Sequence, residues 1–552
     1  MELNGAQLLI EKILENDVDV VFGYPGGAVL PIYDELYKNS RKIKHIITAH
    51  EQGASFAAEG YARVKSKPGV LIATSGPGAT NIVTGIANAY LDSVAMIAIT
   101  GNVNQSVIGK DSFQEVDILS VTSSLVKHSF TVKNIDDLSE IVDEAFIIAN
   151  SGRKGPVVID IPKDVQLAKI QYSPNKKANN IENLSYSLDN IEEVAKIIRN
   201  SKRPFIYSGG GVISSGAENN LKKFAKLIDS PVGLSLMGLT ALDYDFNLNL
   251  GMCGMHGRYA STIAQDRCDL MIALGVRFSD RATGNIESYA KNKTIIHIDI
   301  DPAEIEKNID SKINIVGDIN LVLEKLMESL EQLNHKSWIE KIEELKKNEP
   351  RQDENNLNPM TILERISDKM PEDTVVATDV GQHQMWTSLY YKFRKSRTLL
   401  TSGGLGAMGY GFGAAIGASI ARGKKKTLLI TGDGSFGMNL NEFSTAVSEK
   451  LPILIVLMNN NSLGMVKQWQ SMFYGKRYSQ TVMNRKTNFV KLAEAFGASG
   501  KRVHTLEELD EALENIKLDG PYIIDCIINE DIKVFPMVPP GGAARDIVLE
   551  EY

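Results

Sequence analysis

The strongest constraint on the fold of this chain is a rhythm of short, predominantly apolar runs, at residues 70–73, 157–159, 270–274, 295–298, 428–430 and 522–524. Each is too short for a helix and lacks the polar alternation of a strand with one wet face, so each reads as a strand covered on both sides. Helix-length segments such as 191–199 and 441–450 lie between them. Strands alternating with helices predict the α/β class, with mostly parallel sheets flanked by helices. At 552 residues the chain exceeds one ordinary core. Two polar stretches, 171–190 and 331–358, offer little apolar surface and read as linkers, and the charge run at 341–347 reads as a solvated helix. Three domains are expected, at 1–170, 190–330 and 358–530, with an irregular tail at 531–552 carrying Pro536, Pro539, Pro540, Gly541 and Gly542.

Composition removes several function classes. Lys and Arg number 60 against 68 Asp and Glu, a net charge of -8, and no basic cluster is present that could neutralise a run of phosphates, so no nucleic-acid partner is expected. The three cysteines, Cys253, Cys268 and Cys526, are far apart and form no C-x-x-C pair, which argues against a disulfide framework, zinc or iron–sulfur. No apolar run approaches the ~18 residues of a membrane span. The first residues resemble neither a secretory signal nor a transit peptide. A cytoplasmic protein with no membrane partner is the expectation.

One β-α-β unit carries the chemistry. The apolar run ending at Gly432-Asp433-Gly434-Ser435 is followed by a helical stretch and then by 451–458, which ends at Asn459-Asn460. A right-handed crossover returns the second strand parallel to the first, so Asp433 and Asn460 emerge together at carboxyl ends of strands, where open α/β sheets bind ligands. A hard Mg²⁺ ion takes carboxylate and amide oxygens and completes its shell with phosphate. The glycines beside Asp433 let backbone amides approach those phosphates. A simple turn and a strand end would also account for these residues taken singly. Glu51, in His50-Glu51-Gln52-Gly53 before an Ala-rich helix, is consistent with a plain first-turn carboxylate.

Together these residues resemble the signature of thiamine-diphosphate enzymes, and in particular the acetohydroxyacid synthase (acetolactate synthase) large-subunit family. The resemblance runs from about residue 3 to 542 and includes Gly23-Tyr24-Pro25-Gly26-Gly27, Thr74-Ser75-Gly76-Pro77-Gly78-Ala79-Thr80-Asn81, Phe113-Gln114-Glu115, Asp160-Ile161-Pro162-Lys163-Asp164, Gly254-Met255-His256-Gly257 and Gly464-Met465-Val466-Lys467-Gln468-Trp469-Gln470. It implies a pyrimidine-binding domain, a central FAD-associated domain and a diphosphate- and magnesium-binding domain. It further implies an active site shared between two subunits, a homodimer or dimer of dimers, and a small regulatory subunit.

The implied reaction is decarboxylation of pyruvate and transfer of the two-carbon unit to a second 2-oxo acid, pyruvate or 2-oxobutyrate, the first common step of branched-chain amino-acid synthesis. By the same resemblance Glu51 is the catalytic carboxylate, with Gly27, Gln114 and Lys163 beside it. Thiamine diphosphate contacts are Glu51, Gln382, His383, Gly406, Met408, Gly434, Ser435, Asn460, Gly464 and Met465, and the Mg²⁺ ligands are Asp433, Asn460 and Ser462. A structural, non-redox FAD is expected at Arg153, Gly210, Gly211, His256, Gly275, Arg277, Asp280, Arg281, Asp299 and Asp318. Phe113, Arg281, Met465 and Trp469 form the substrate pocket. Core packing remains an alternative for Met408, His256 and Trp469. Asn102, Asn104, Ser279 and Ser462 depart from the usual family residues. The competing readings are an FAD-free catabolic acetolactate synthase, a pyruvate oxidase, or a non-catalytic subunit of the same fold. A nicotinamide dehydrogenase is disfavoured because Tyr207-Ser208-Gly209-Gly210-Gly211 is not its phosphate fingerprint.

Overall fold

The computed structural model describes residues 1–173 and 190–550, so most of the first expected linker lies outside the described residues. Among the described residues are three six-stranded sheets, every strand pair in them parallel. The first runs in spatial order Lys44–Ile47, Val20–Gly23, Gly69–Ala73, Met96–Asn102, Pro156–Pro162, His128–Thr131. The second is Asn249–Met252, Val232–Leu234, Pro204–Ser208, Leu270–Leu274, Thr294–Asp299, Ile313–Val316. The third is Leu399–Leu400, Val375–Thr378, Thr427–Gly432, Ile453–Asn459, Tyr522–Ile527, Ser499–Val503. Strands Met96–Asn102, Pro156–Pro162, Leu270–Leu274, Thr427–Gly432 and Ile453–Asn459 are buried along their whole length, as apolar runs covered on both faces require. A short antiparallel pair, Glu2–Asn4 with Lys169–Gln171, closes the first unit on itself.

The second polar stretch is not merely a linker. It contains the helix Lys336–Lys346, whose Trp338, Ile342 and Leu345 are buried against Phe205, Tyr207 and Met271 of the central sheet. Trp338 Nε1 donates to the Pro204 carbonyl at 3.0 Å. The charged residues of the run occupy the outer face, and they masked a stripe at i, i+4 and i+7 that is sufficient to dock a helix. The tail is irregular as expected, but it is not loose. Val534 and Met537 are fully buried, and Met537 and Val548 exchange two backbone hydrogen bonds.

The first and third units meet through two helices, Glu51–Lys65 and Tyr410–Ala421, which approach at backbone distance. A Cβ on Gly60 would lie 2.3 Å from the Ala414 carbonyl oxygen, and one on Gly417 would lie 1.9 Å from that of Ala57. Only glycine permits this crossing, because the colliding atoms are backbone and cannot swing aside. Each helix leads directly from a site region: Glu51 opens one, and the loop holding Gly406 and Met408 precedes the other. Gly417→Ala should therefore destabilise the protein by about 1–3 kcal/mol in denaturant unfolding, despite the better helix propensity of alanine. Gly520→Ala, where a Cβ meets nothing within 4 Å, should stay within about 0.5 kcal/mol of wild type.

Candidate active site

Three neighbouring strands of the third sheet deliver their carboxyl ends to one cluster. The pairing of Gly432 with Met458 brings Asp433 out of its strand beside Asn459 and Asn460. On the other side Thr378 pairs with Ile430, and the helix Gln382–Tyr390 follows after a short turn, supplying Gln382 and His383. Asn460 Nδ2 donates to Gln382 Oε1 at 3.3 Å, while Asn460 Oδ1 accepts from the Ser462 amide at 3.2 Å. A Cβ on Gly464 would sit 2.1 Å from Gln382 Oε1 and 2.8 Å from Asn460 Nδ2, so a larger residue here would displace these two side chains. Gly434 and Ser435 continue from Asp433 in a short buried turn of helix.

Asp433, Ser462 and His383 are all buried, yet Asp433 Oδ1, Ser462 Oγ and His383 Nε2 have no hydrogen-bond partner. Three orphaned polar atoms at one strand-end cluster mark a site shaped for a polar ligand. Burial pushes the Asp433 carboxyl up to about 7, against backbone hydrogen bonds from its own amide and those of Asn460 and Gly434. A divalent cation beside it would reverse that shift by stabilising the anion. Burial likewise lowers His383 to about 3, leaving a neutral imidazole. The donor set of one carboxylate oxygen, one amide oxygen and one hydroxyl fits a hard cation that takes its remaining ligands from a diphosphate.

The loop 403–409 stands over this cluster in a conformation set by glycine, with φ of +71° at Gly406 and +85° at Gly409. Gly409 N donates to Asp379 Oδ1 at 2.7 Å and to Ser435 Oγ at 3.2 Å. Met408 is half-buried on a cavity wall.

Glu51 belongs to a separate group on the first sheet. Its Oε2 accepts from Asn81 Nδ2 at 2.9 Å, and a Cβ on Gly78 would lie 3.3 Å from Oε1. Gly27, exposed, follows the strand Val20–Gly23; Lys163, half-buried, follows Pro156–Pro162. Gln114 adopts φ of +62° and packs against Gly76, while Phe113 is 88% exposed. No hydrogen bond between described residues joins Glu51 to Asp433 or Asn460. The turn before Glu51 does touch the third unit, where the Ala49 and His50 amides donate to Glu442 at 3.2 Å.

A cavity of about 1170 Å³ lies where the three units meet. Its wall includes Arg153, Gly210, Gly211, His256, Gly275, Arg277, Arg281, Asp299 and Asp318 of the residues expected to hold a flavin, and also Gly406, Met408, Met465 and Trp469. Asp280 is not on this wall. It begins the short helix Asp280–Thr283, and its exposed carboxylate lies 3.8 Å from Arg281. The room exceeds that of ordinary small-ligand pockets and suits a dinucleotide. His256 is buried with Nδ1 unpartnered, and burial lowers it to about 4. Asp318 Oδ1 caps the helix Ile319–Glu328, and Asp299 Oδ1 accepts from the Asp301 amide, which leaves each carboxylate one oxygen for a ligand hydroxyl. Arg153 is already paired with Glu304 at 2.7 Å. Arg281 is largely exposed, with Cζ 5.5 Å from the Trp469 ring centroid. These two residues and Met465 also line a second cavity of about 640 Å³ with Tyr474 and Arg477.

Comparison with known proteins fits this division. The N-terminal TPP binding domain of thiamine pyrophosphate enzymes matches residues 3–121, the central domain of those enzymes matches 191–326, and their C-terminal TPP binding domain matches 379–526. The acetolactate synthase isozyme 2 large subunit of Escherichia coli is 42% identical over 551 residues, covering 99% of both chains. The probable acetolactate synthase large subunit of Methanocaldococcus jannaschii is 44% identical over 566 residues, covering 99% of this chain and 95% of that one. The acetolactate synthase large subunit of Cyanidium caldarium is 44% identical over 558 residues, covering 97% and 95%. The chain belongs to the acetolactate synthase large-subunit family.

Within this thiamine-pyrophosphate family member, sequence reasoning passed over Asp379 and Asn81. Asp379 ends the apolar run 375–378 just as Asp433 ends its own, so the same strand-then-aspartate signal could have found it. Asn81 gave no such signal, since its partner Glu51 is distant in sequence. Gly464→Ala should push Gln382 and Asn460 apart and weaken thiamine diphosphate binding by about tenfold or more. Titration of the cofactor against intrinsic tryptophan fluorescence measures this.

Proposed function

We propose that the chain is a biosynthetic acetolactate synthase, decarboxylating pyruvate and joining the two-carbon unit to pyruvate or 2-oxobutyrate. The observation that carries this reading is the cluster of unpartnered Asp433 Oδ1, Ser462 Oγ and His383 Nε2 on the TPP-binding unit, beside a cavity that ends at Arg281 and Trp469. When bound, thiamine diphosphate supplies the electron sink that lets a 2-oxo acid lose CO₂.

Asp433, Asn460 and Ser462 would hold Mg²⁺, which supplies the positive charge that the cofactor's diphosphate end needs. Gln382, His383, Gly434, Ser435 and Gly464 surround that end, with His383 Nε2 free to bond a phosphate oxygen. Gly406, Met408 and Met465 border the other end. Glu51 accepts and returns a proton at its carboxylate, held in place by Asn81. The Arg281 guanidinium receives the acceptor carboxylate, with Trp469 packed across its face and Met465 limiting the acceptor's alkyl group. By the family resemblance, Gly27, Phe113, Gln114 and Lys163 line the approach.

As the family resemblance implies, Glu51 of one subunit serves the cation site of another, so the working unit is a homodimer, with further pairing of dimers compatible. A structural FAD would be held in the three-way cavity, where Arg153 and Arg277 offer cationic donors and Asp299 and Asp318 offer carboxylate acceptors. Relatives named as large subunits support a small regulatory partner for this chain as well. No helix among the described residues is long and apolar enough to cross a membrane, which is compatible with a cytoplasmic enzyme.

Purified protein given pyruvate, Mg²⁺, thiamine diphosphate and FAD should form acetolactate, and a chelator should abolish this until Mg²⁺ is restored. Acetyl phosphate or acetaldehyde as the sole product would refute the assignment. Glu51→Gln should retain the cofactor but lose about 10²–10⁴-fold in kcat, whereas Asp433→Ala should lose binding. With pyruvate and 2-oxobutyrate competing, Trp469→Leu should shift the product ratio by about 10-fold through the lost wall of the alkyl pocket. An unchanged ratio removes Trp469 from that role.

A further inference from the structure

A buried charged network on the wall of the three-way cavity grips the loop that reaches the cation cluster. Glu59 and Asp92, on the first unit, have fully buried side chains and share the Arg63 guanidinium at 2.6 and 2.7 Å. Asp92 turns both of its oxygens to the third unit: Oδ2 accepts from Gly403 N at 3.1 Å and Oδ1 from Gly404 N at 2.7 Å. Arg63 Nη1 donates to the Thr401 carbonyl at 3.0 Å. Ser402 Oγ donates to Asn88 Oδ1 and accepts from Ala407 N, the latter at 2.8 Å. Every residue from Thr401 to Gly404 is thus held by the first unit, immediately before Gly406 and Met408. A Cβ on Gly404 would meet Leu91 Cβ at 2.8 Å, and one on Gly403 would meet Met237 Sδ at 2.4 Å, so the loop is packed from the first and central units at once.

We infer that Asp92, Arg63 and Ser402, which line the cavity proposed for FAD, are positioning residues that set the register of the Gly403–Met408 loop against thiamine diphosphate, and so control its binding and turnover, measured with FAD saturating, without touching thiamine diphosphate itself. This rests on the functional reading above. Stability alone does not explain the arrangement, because a buried ion pair is a weak net stabiliser and apolar residues of similar volume would dock the units as well. What apolar residues could not do is direct two acceptors at two successive amides, which fixes the loop along its own axis.

The test uses the full-length protein with Asp92→Asn, Ser402→Ala and, as a control, Lys12→Met, which removes a buried lysine paired with the more exposed Glu15 and Asp143, far from the loop in sequence. Cofactor affinity is read by tryptophan fluorescence, kcat and pyruvate KM per bound cofactor, and stability by thermal melting. Asp92→Asn and Ser402→Ala should each weaken thiamine diphosphate binding and lower kcat by about tenfold, with pyruvate KM within about twofold of wild type. Lys12→Met should lower Tm only. If Asp92→Asn and Ser402→Ala also lower Tm alone, the network is merely structural and the inference is overturned. Should Asp92→Asn fail to fold, Ser402→Ala decides by the same criteria. Wild-type protein that binds no thiamine diphosphate would overturn the functional reading and this inference with it, whereas normal wild-type binding with unaffected variants overturns this inference alone.

Discussion

The close crossing of Glu51–Lys65 and Tyr410–Ala421 is the contact on which the rest of the molecule depends. Its glycines bring two helix backbones together, and the surrounding Phe56, Ala57, Tyr410, Phe412 and Ala415 form one continuous apolar cluster that belongs to both the first and the third sheet. The two units are therefore docked as rigidly as parts of one domain. Because each helix leads from a site region, the same crossing sets where Glu51 and the Met408 loop stand relative to the two sheets. Hydrophobic packing supplies the energy of the docking, and the absent side chains set its distance.

At the proposed cation site the balance is electrostatic, and it runs against stability. Asp433 is buried without enough partners to favour its charge, His383 is held neutral by burial, and Ser462 Oγ is unsatisfied. Each orphaned group costs roughly 1–3 kcal/mol relative to a satisfied one. A fold tolerates such costs where binding recovers them, so the least satisfied polar atoms are the most informative about a ligand. Asp379 nearby makes the contrast. Burial raises its carboxyl too, but Gly409, Thr431 and Ser435 all hydrogen-bond it, and it serves as an internal brace.

Much of this was legible in the sequence, for identifiable reasons. Strands buried on both faces show themselves as apolar runs, and Asp433 and Asn460 could be paired because a parallel crossover returns consecutive strands to the same end. The helix 336–346 was misjudged because its composition is dominated by an outer charged face, and three apolar residues at helical spacing were enough to bury it. Asp92 and Arg63 were invisible for a different reason. Their partners Thr401, Gly403 and Gly404 lie on another unit, and no local pattern encodes a buried charge that is satisfied across an interface.

The side-chain amides add a final level of order. Asn460 donates to Gln382, Gln382 donates to Gln468, and Gln468 both donates to and accepts from the Val534 backbone. This hydrogen-bonded line runs from the proposed cation ligand through the helix Gly464–Phe473 to the tail, and Gln382 and Gln468 are almost wholly buried. Buried amides that satisfy one another in series tolerate little independent movement, since displacing one leaves its neighbour unpaired. Trp469 follows Gln468 on that helix, so the wall of the proposed acceptor pocket is tied through two glutamines to the residue proposed to hold the metal. The tail extends the same logic to the central unit, where Val538 N bonds the Met255 carbonyl next to His256. An irregular segment thereby acquires a defined path: its backbone groups complete polar side chains that the sheets leave open.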